Sequence, residues 1–109
     1  MLNHLKKIFS IFLIFNLTFV TSAQAATIEF VDSFSVATQE TFPTGITFNN
    51  DGTKMFVTGA AGVNEYTLTT GFDVSTASFR LLFSVATQET FPTGITFNND
   101  GTKMFVTGA

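Results

Sequence analysis

The residues able to do chemistry in this chain are few, and most of them occur twice. Glu40 stands in the run Thr38-Gln39-Glu40-Thr41-Phe42-Pro43-Thr44-Gly45, and Glu89 stands in the same eight residues at Thr87 to Gly94. Repeated carboxylates around one channel could bind cations or hydroxyl-rich ligands, or serve as acid and base if brought close. Gln39, Thr41 and Asn64, with the copies Gln88 and Thr90, add neutral hydrogen-bonding groups. Gln39, Glu40, Thr41, Asn64, Gln88, Glu89 and Thr90 therefore form the candidate ligand-binding set. The plainer reading is a pair of solvated loop charges, or charges that pair with a neighbour.

Other chemistry is missing. The chain has no Cys, and its single His is His4, close to the start. Past Ala25 this removes Ser-His-Asp and Cys-His catalysis and zinc or copper sites built on imidazole or thiolate. No catalytic residue, metal ligand or cofactor is assigned, and the chain reads as a non-enzyme sooner than an enzyme. Asn49-Asn50-Asp51-Gly52-Thr53 and its copy Asn98 to Thr102 present oxygens that could suit Ca²⁺. They lack the alternating acids and the distant bidentate Glu of a calcium loop, so a β-turn is the expectation. Arg80, alone on an acidic strand, is expected to pair with a nearby acid.

These residues sit on a repeat. Phe34 to Ala60 and Phe83 to Ala109 are identical, and Phe83 follows Phe34 by 49 residues. A fixed period of about 20–50 residues marks a repeat architecture.

The chain opens with three zones. Asn3, His4, Lys6 and Lys7 form a short positive region, Ile8 to Val20 is an apolar run, and Ala23 and Ala25 provide small residues in an A-x-A pattern. This is the pattern of a secretory signal peptide over residues 1–25, with Ala26 the first mature residue. The apolar run of thirteen residues is short of the roughly 20 that a spanning helix needs. Membrane contact is therefore expected only through an uncleaved leader. The expected location is the periplasm or the exterior of a bacterium. Residues 26–109 hold the bases Lys54, Arg80 and Lys103 against eight acids, a net charge of −5. That disfavours nucleic acid, whose binding rests on Lys and Arg neutralising phosphates.

The elements that must position the candidate residues read as short strands. Fifteen Phe and abundant Thr favour strands. Thr27 to Ala37 alternates apolar and polar residues as a strand does. Within one period, four more segments behave alike: Gly45 to Asn49, Thr53 to Thr58, Val63 to Thr69 and Ser78 to Ala86. Met55 and Val57 share one face of the second, opposite Lys54, Phe56 and Thr58. Tyr66 and Leu68 share one face of the third, opposite Glu65 and Thr67. Asp51-Gly52 and Asp100-Gly101 read as hairpin turns in which both residues take positive φ. Phe48, Phe56, Phe97 and Phe105 are expected in the core between repeats, since aromatic side chains bury large areas. The expected fold is all-β, with antiparallel four-stranded β-propeller blades in tandem. The repeat region 26–109 holds fewer than two blades, an incomplete propeller.

The runs Pro43-Thr-Gly-Ile-Thr-Phe-Asn-Asn-Asp-Gly-Thr-Lys-Met-Phe-Val-Thr-Gly59 and Val63-Asn-Glu-Tyr-Thr-Leu-Thr-Thr-Gly-Phe-Asp-Val-Ser-Thr-Ala77 resemble the bacterial β-propeller repeats of the YVTN and lactonase-like kind. The resemblance covers essentially all of residues 26–109. It implies blades packed face to face about an axis, with ligands meeting one rim. By position that rim is Thr38 to Thr44, Gly59 to Gly62 and Thr87 to Thr93. The departure is in blade number, since propellers have about 4–8 blades. Either the sequence is a fragment of a longer array, or several chains complete one ring through open strand edges such as Lys103 to Thr107. The expected function is an exported binding or structural scaffold that holds a protein or carbohydrate at its rim. The alternatives are a fragment of a lactonase-like propeller hydrolase and a truncated remnant without activity.

Overall fold

The computed structural model describes residues 27–109, and the expected leader, residues 1–25, lies outside them. The architecture is all-β. Four strands, β1 (Pro43–Phe48), β2 (Lys54–Gly59), β3 (Gly62–Leu68) and β4 (Ala77–Phe83), form one antiparallel meander in the order β1-β2-β3-β4. A 3-10 turn at Val74–Thr76 precedes β4, and the Asp73 carboxylate caps it by accepting from the Ser75 amide. The repeat then begins again as the hairpin β5 (Pro92–Phe97) and β6 (Met104–Gly108). The register of β5–β6 copies that of β1–β2, with Phe48 opposite Met55 and Phe97 opposite Met104.

Alternation decides which face each strand buries. Met55, Val57, Tyr66 and Leu68 are buried together, and Phe34, Val36, Phe48, Val74 and Ala77 pack against them. Burying an apolar side chain of this size stabilises by roughly 1.5–3 kcal/mol. Rings reinforce the cluster, Tyr66 meeting Phe34 edge-on at 5.6 Å and Phe79 at 5.8 Å. The opposite face of the sheet carries Phe56, which meets Phe97 of the second copy at 4.6 Å between ring centroids. It also carries an ion cluster, with Glu65 Oε1 lying 3.2 Å from Lys54 Nζ and 3.5 Å from Arg80 Nη1. Arg80 thus pairs with an acid, as its isolation predicts. Both bases are largely exposed, so the cluster contributes little, about 0–1 kcal/mol per pair.

Three expectations are corrected. Thr27 to Ala37 forms no strand; residues 27–36 carry no regular secondary structure. Phe34 is the counterpart of Phe83, which ends β4, and β4 pairs with β3. Among the described residues only one β3-type strand exists, and β4 already occupies that edge, so the earlier segment lacks the partner that its counterpart has. Second, the Asp-Gly turns are not two-residue turns with positive φ at both positions. Gly52 and Gly101 have φ of 71°, whereas Asp51 and Asp100 do not enter the left-handed region. The loop from Asn49 to Thr53 is instead built on a turn in which the Gly52 amide donates to Asn49 O (3.1 Å). The Asp51 carboxylate accepts from the Thr53 amide (3.0 Å) and hydroxyl (2.6 Å). Third, Phe105 is not core: it is 53% exposed, because among the described residues no element covers the face of β6 that carries it.

Candidate functional site

The TQETFP loop is shaped by its own backbone before its side chains act. The amides of Gln39 and Glu40 both donate to Val36 O (3.0 and 2.8 Å), and those of Gln88 and Glu89 repeat this on Val85 O (2.9 and 2.8 Å). The turn swings the glutamate back over the loop. Glu40 Oε1 then accepts from the Phe42 amide at 2.8 Å, and Glu89 Oε1 from the Phe91 amide at 2.8 Å. In the first copy the second oxygen, Oε2, accepts from the Ala61 amide at 2.8 Å. One carboxylate therefore ties the loop before β1 to the turn between β2 and β3, and both stretches lie on the rim that the resemblance implies.

Burial explains why this tie is a glutamate. Glu40 is only 2% exposed. A buried carboxylate is tolerated when its lone pairs are taken up by donors. Space for it comes from Gly59, where a Cβ would overlap the Glu40 carboxyl group. Gly108 leaves the same space for Glu89.

The neighbouring candidates divide into buried and exposed. Asn64 is buried on β3, and its Nδ2 has no hydrogen-bond partner among the described residues. Gln39 is half-buried, and its Oε1 accepts a long 3.4 Å bond from the Tyr66 hydroxyl. Burial pushes the Tyr66 phenol up, and the Glu40 carboxylate adds to the shift. Thr41, Gln88 and Thr90 are exposed, while Glu89 is half-buried. Gln39, Glu40 and Tyr66 thus form one polar layer beneath the rim, whereas Thr41, Gln88 and Thr90 face solvent upon it.

Reasoning from residue types missed the most prominent groups on this rim. Phe42 is 72% exposed and Phe91 is 67% exposed, at equivalent places in the two copies. No sequence signal gave their exposure: the following proline holds each Phe extended, which fixes its backbone and leaves the direction of the ring to the fold. The Glu40 and Glu89 bonds to the amides of these two residues fix the backbone from which the rings project. The loop can therefore offer an aromatic face beside hydroxyl and amide groups, a combination suited to stacking and hydrogen bonding.

The opposite rim is closed by a different device. Phe72 adopts φ of 61°, a strained conformation for a bulky residue. Its amide donates to Gly52 O at 3.0 Å and its ring meets Phe48 at 5.5 Å. The β3–β4 loop is thereby hooked onto the β1–β2 loop. No protein-family model matches the chain, and neither a curated protein nor a solved structure matches it.

Proposed function

We propose that this chain is an exported β-propeller-type repeat module that acts as a binding scaffold, presenting its loop rim to a carbohydrate or protein. The observation that carries the reading is how the two copies pack. Equivalent residues of the first strands meet across the interface. The Cβ position of Gly45 lies 3.2 Å from the Cα of Gly94, its counterpart 49 residues on. The Thr44 hydroxyl donates to Pro92 O at 2.5 Å, and the Asn50 side-chain amide donates to Asn99 O. Stacking sheets face to face with their first strands adjacent is how propeller blades succeed one another around an axis. Export is supported by the three-zone leader over residues 1–25.

On this reading Phe42 and Phe91 are the principal ligand contacts, with Thr41, Gln88 and Thr90 beside them. Exposed aromatic groups on a rigid frame are the usual anchors of such surfaces. The candidate residues Gln39, Glu40, Asn64 and Glu89 then support the rim from beneath. The test is amide-resolved NMR titration of the chain with neutral oligosaccharides and, separately, with unstructured peptides. The expected result is shifts centred on the amides of Phe42, Ala61 and Phe91 that vanish in the Phe42→Ala/Phe91→Ala double variant. Shifts elsewhere, or shifts that survive in the double variant, would overturn the assignment of the rim.

A further inference from the structure

Of the four aspartates in the chain, only Asp51 and Asp100 precede glycine. With no side chain, glycine leaves its amide nitrogen unhindered. That nitrogen can attack Cγ of the preceding aspartic acid. A Cγ–N bond forms, the Cγ–OH bond breaks, and the hydroxyl leaves as water with the amide proton. Hydrolysis of the cyclic imide returns aspartate or leaves isoaspartate, whose main chain runs through the side-chain carboxyl and is one carbon longer. The step needs a free amide and a neutral carboxyl, and the turns engage both groups. The Gly52 amide donates to Asn49 O (3.1 Å) and the Gly101 amide to Asn98 O (3.0 Å). Asp51 Oδ1 accepts from the Thr53 amide and hydroxyl (3.0 and 2.6 Å), and Asp100 Oδ1 from those of Thr102 (3.0 and 2.6 Å). The hydroxyls are aimed as well. Asn49 Nδ2 donates to Thr53 Oγ1 at 3.2 Å and Asn98 Nδ2 to Thr102 Oγ1 at 3.1 Å, which leaves each hydroxyl hydrogen to the carboxylate. These bonds, the hydroxyl first and the amide second, hold both carboxyls below the usual carboxylate range. An ionised carboxylate has no hydroxyl to lose as water.

We infer that Asp51 and Asp100 are sites of spontaneous isoaspartate formation, and that the Thr53 and Thr102 hydroxyls hold the reaction back in the folded chain. The inference rests on the two hairpin turns and not on what the rim binds. Both aspartates are exposed, so water for imide hydrolysis is at hand and burial is not what shields the carboxyls. Thr53 and Thr102 are positioning residues: they restrain the carboxyl and take no part in the bond changes. Isoaspartate at 51 lengthens the turn that sets Phe48 opposite Met55 and moves the free carboxylate onto Cα, away from its place beside Thr53. The same change at 100 falls in the turn that sets Phe97 opposite Met104.

The experiment ages the purified chain, folded and in urea, at neutral pH and measures isoaspartate at each site by peptide mapping. Trypsin cuts after Lys54 and Lys103, so the two sites fall in different fragments. Isomerisation leaves the mass unchanged and is read from chromatographic splitting of each fragment and from backbone fragmentation. In urea the two sites, set in identical sequence, are expected to react at one rate, and in the folded wild type both are expected to be slower. Thr53→Val keeps the amide and removes the hydroxyl. It is expected to raise isoaspartate at residue 51 by about tenfold, the factor that one lost hydrogen bond to a charged group corresponds to, while Asp100 stays at its wild-type rate as an internal standard. Thr102→Val is expected to do the reverse, and Thr53→Ser, which keeps a hydroxyl, to behave as wild type. A folded wild type that reacts as fast as the chain in urea overturns the inference. So does an unchanged rate at Asp51 in Thr53→Val. Equal rises at both sites in each of the two valine variants overturn it as well, because protection would then come from folding as a whole and not from the hydroxyl.

Discussion

Gly59→Ala is expected to be among the most damaging single-methyl additions in this chain, and its damage is expected to depend on Glu40. The new Cβ would overlap the Glu40 carboxyl group, well inside the roughly 3.5–4.0 Å at which carbon atoms pack. Gly59 has no positive φ, so the backbone itself accepts alanine, and in a strand that change alone should help by about 0.5–1 kcal/mol. The overlap costs about 1–3 kcal/mol if the surroundings give way. If the carboxylate is expelled, the bonds from Phe42 and Ala61, both 2.8 Å, go with it, at roughly 1.5–3 kcal/mol each for a charged acceptor. The Phe42 and Ala61 amides lie on exposed residues and can rehydrate, so the lower end applies. A net loss of about 2–3 kcal/mol follows, a large share of the roughly 4–12 kcal/mol that a chain of this size has in total. In a Glu40→Ala background the same Gly59→Ala change meets no carboxyl group and is expected to be neutral or slightly stabilising. A double-mutant cycle by chemical denaturation therefore reads a coupling of about 2–4 kcal/mol. The second copy supplies a control of identical sequence. A Cβ on Gly108 overlaps Glu89 in the same way, but Gly108 is exposed and Glu89 half-buried, so the glutamate can swing into water. Gly108→Ala is expected to cost less than Gly59→Ala. Additive effects in the cycle, or the reverse order of the two glycines, would refute the buttress.

Two further outcomes follow from local geometry. Gly52→Ala is expected to destabilise more than Gly101→Ala. Both glycines have φ of 71°, but a Cβ on Gly52 overlaps the Phe72 ring, whereas one on Gly101 meets nothing within 4 Å. Gly101→Ala then carries only the left-handed penalty of roughly 1–2 kcal/mol, and equal unfolding midpoints would contradict this. Tyr66 is the sole tyrosine, so phenolate absorbance titrates one group, expected above the ordinary value of 10.0 because of burial first and the Glu40 carboxylate second. The native state holds this proton more tightly than the unfolded chain. Its contribution to stability is therefore complete below pH 10.0 and lost as pH rises toward the folded-state value. Glu40→Gln should lower that value in part, and a titration at or below 10.0 in the wild type would reject the burial argument.

Periodicity and the exact repeat placed β1 to β6 to within a few residues, because alternation is a property of the strand itself. Met55 with Val57, and Tyr66 with Leu68, could each be named as one face of their own strand, while the register that joins the two faces came from the fold. What alternation cannot carry is context. Phe56 and Phe105 occupy the same place in identical sequence, yet one ring meets Phe97 and the other faces solvent. The difference lies in which sheet has a neighbour on that side. Thr27 to Ala37 fails in the same way: its pattern is that of a strand, but its counterpart pairs with β3, and β4 holds that edge.

The rim shows a subtler limit. Glu40 and Glu89 stood out because carboxylates are rare in this chain and these two recur. That recurrence is met by a requirement for shape. Each glutamate bonds the amide two residues on, and each fills the space a glycine leaves, at Gly59 and at Gly108. Selection for a loop conformation and selection for a ligand contact leave the same mark on a repeat, the same residue in the same place. Burial separates them. The carboxylate of Glu40 points inward, where two backbone donors already hold it, and what it holds outward is Phe42. Glu40 and Glu89 thus fix the backbone from which Phe42 and Phe91 project, and on the proposed reading it is those exposed rings that meet the ligand.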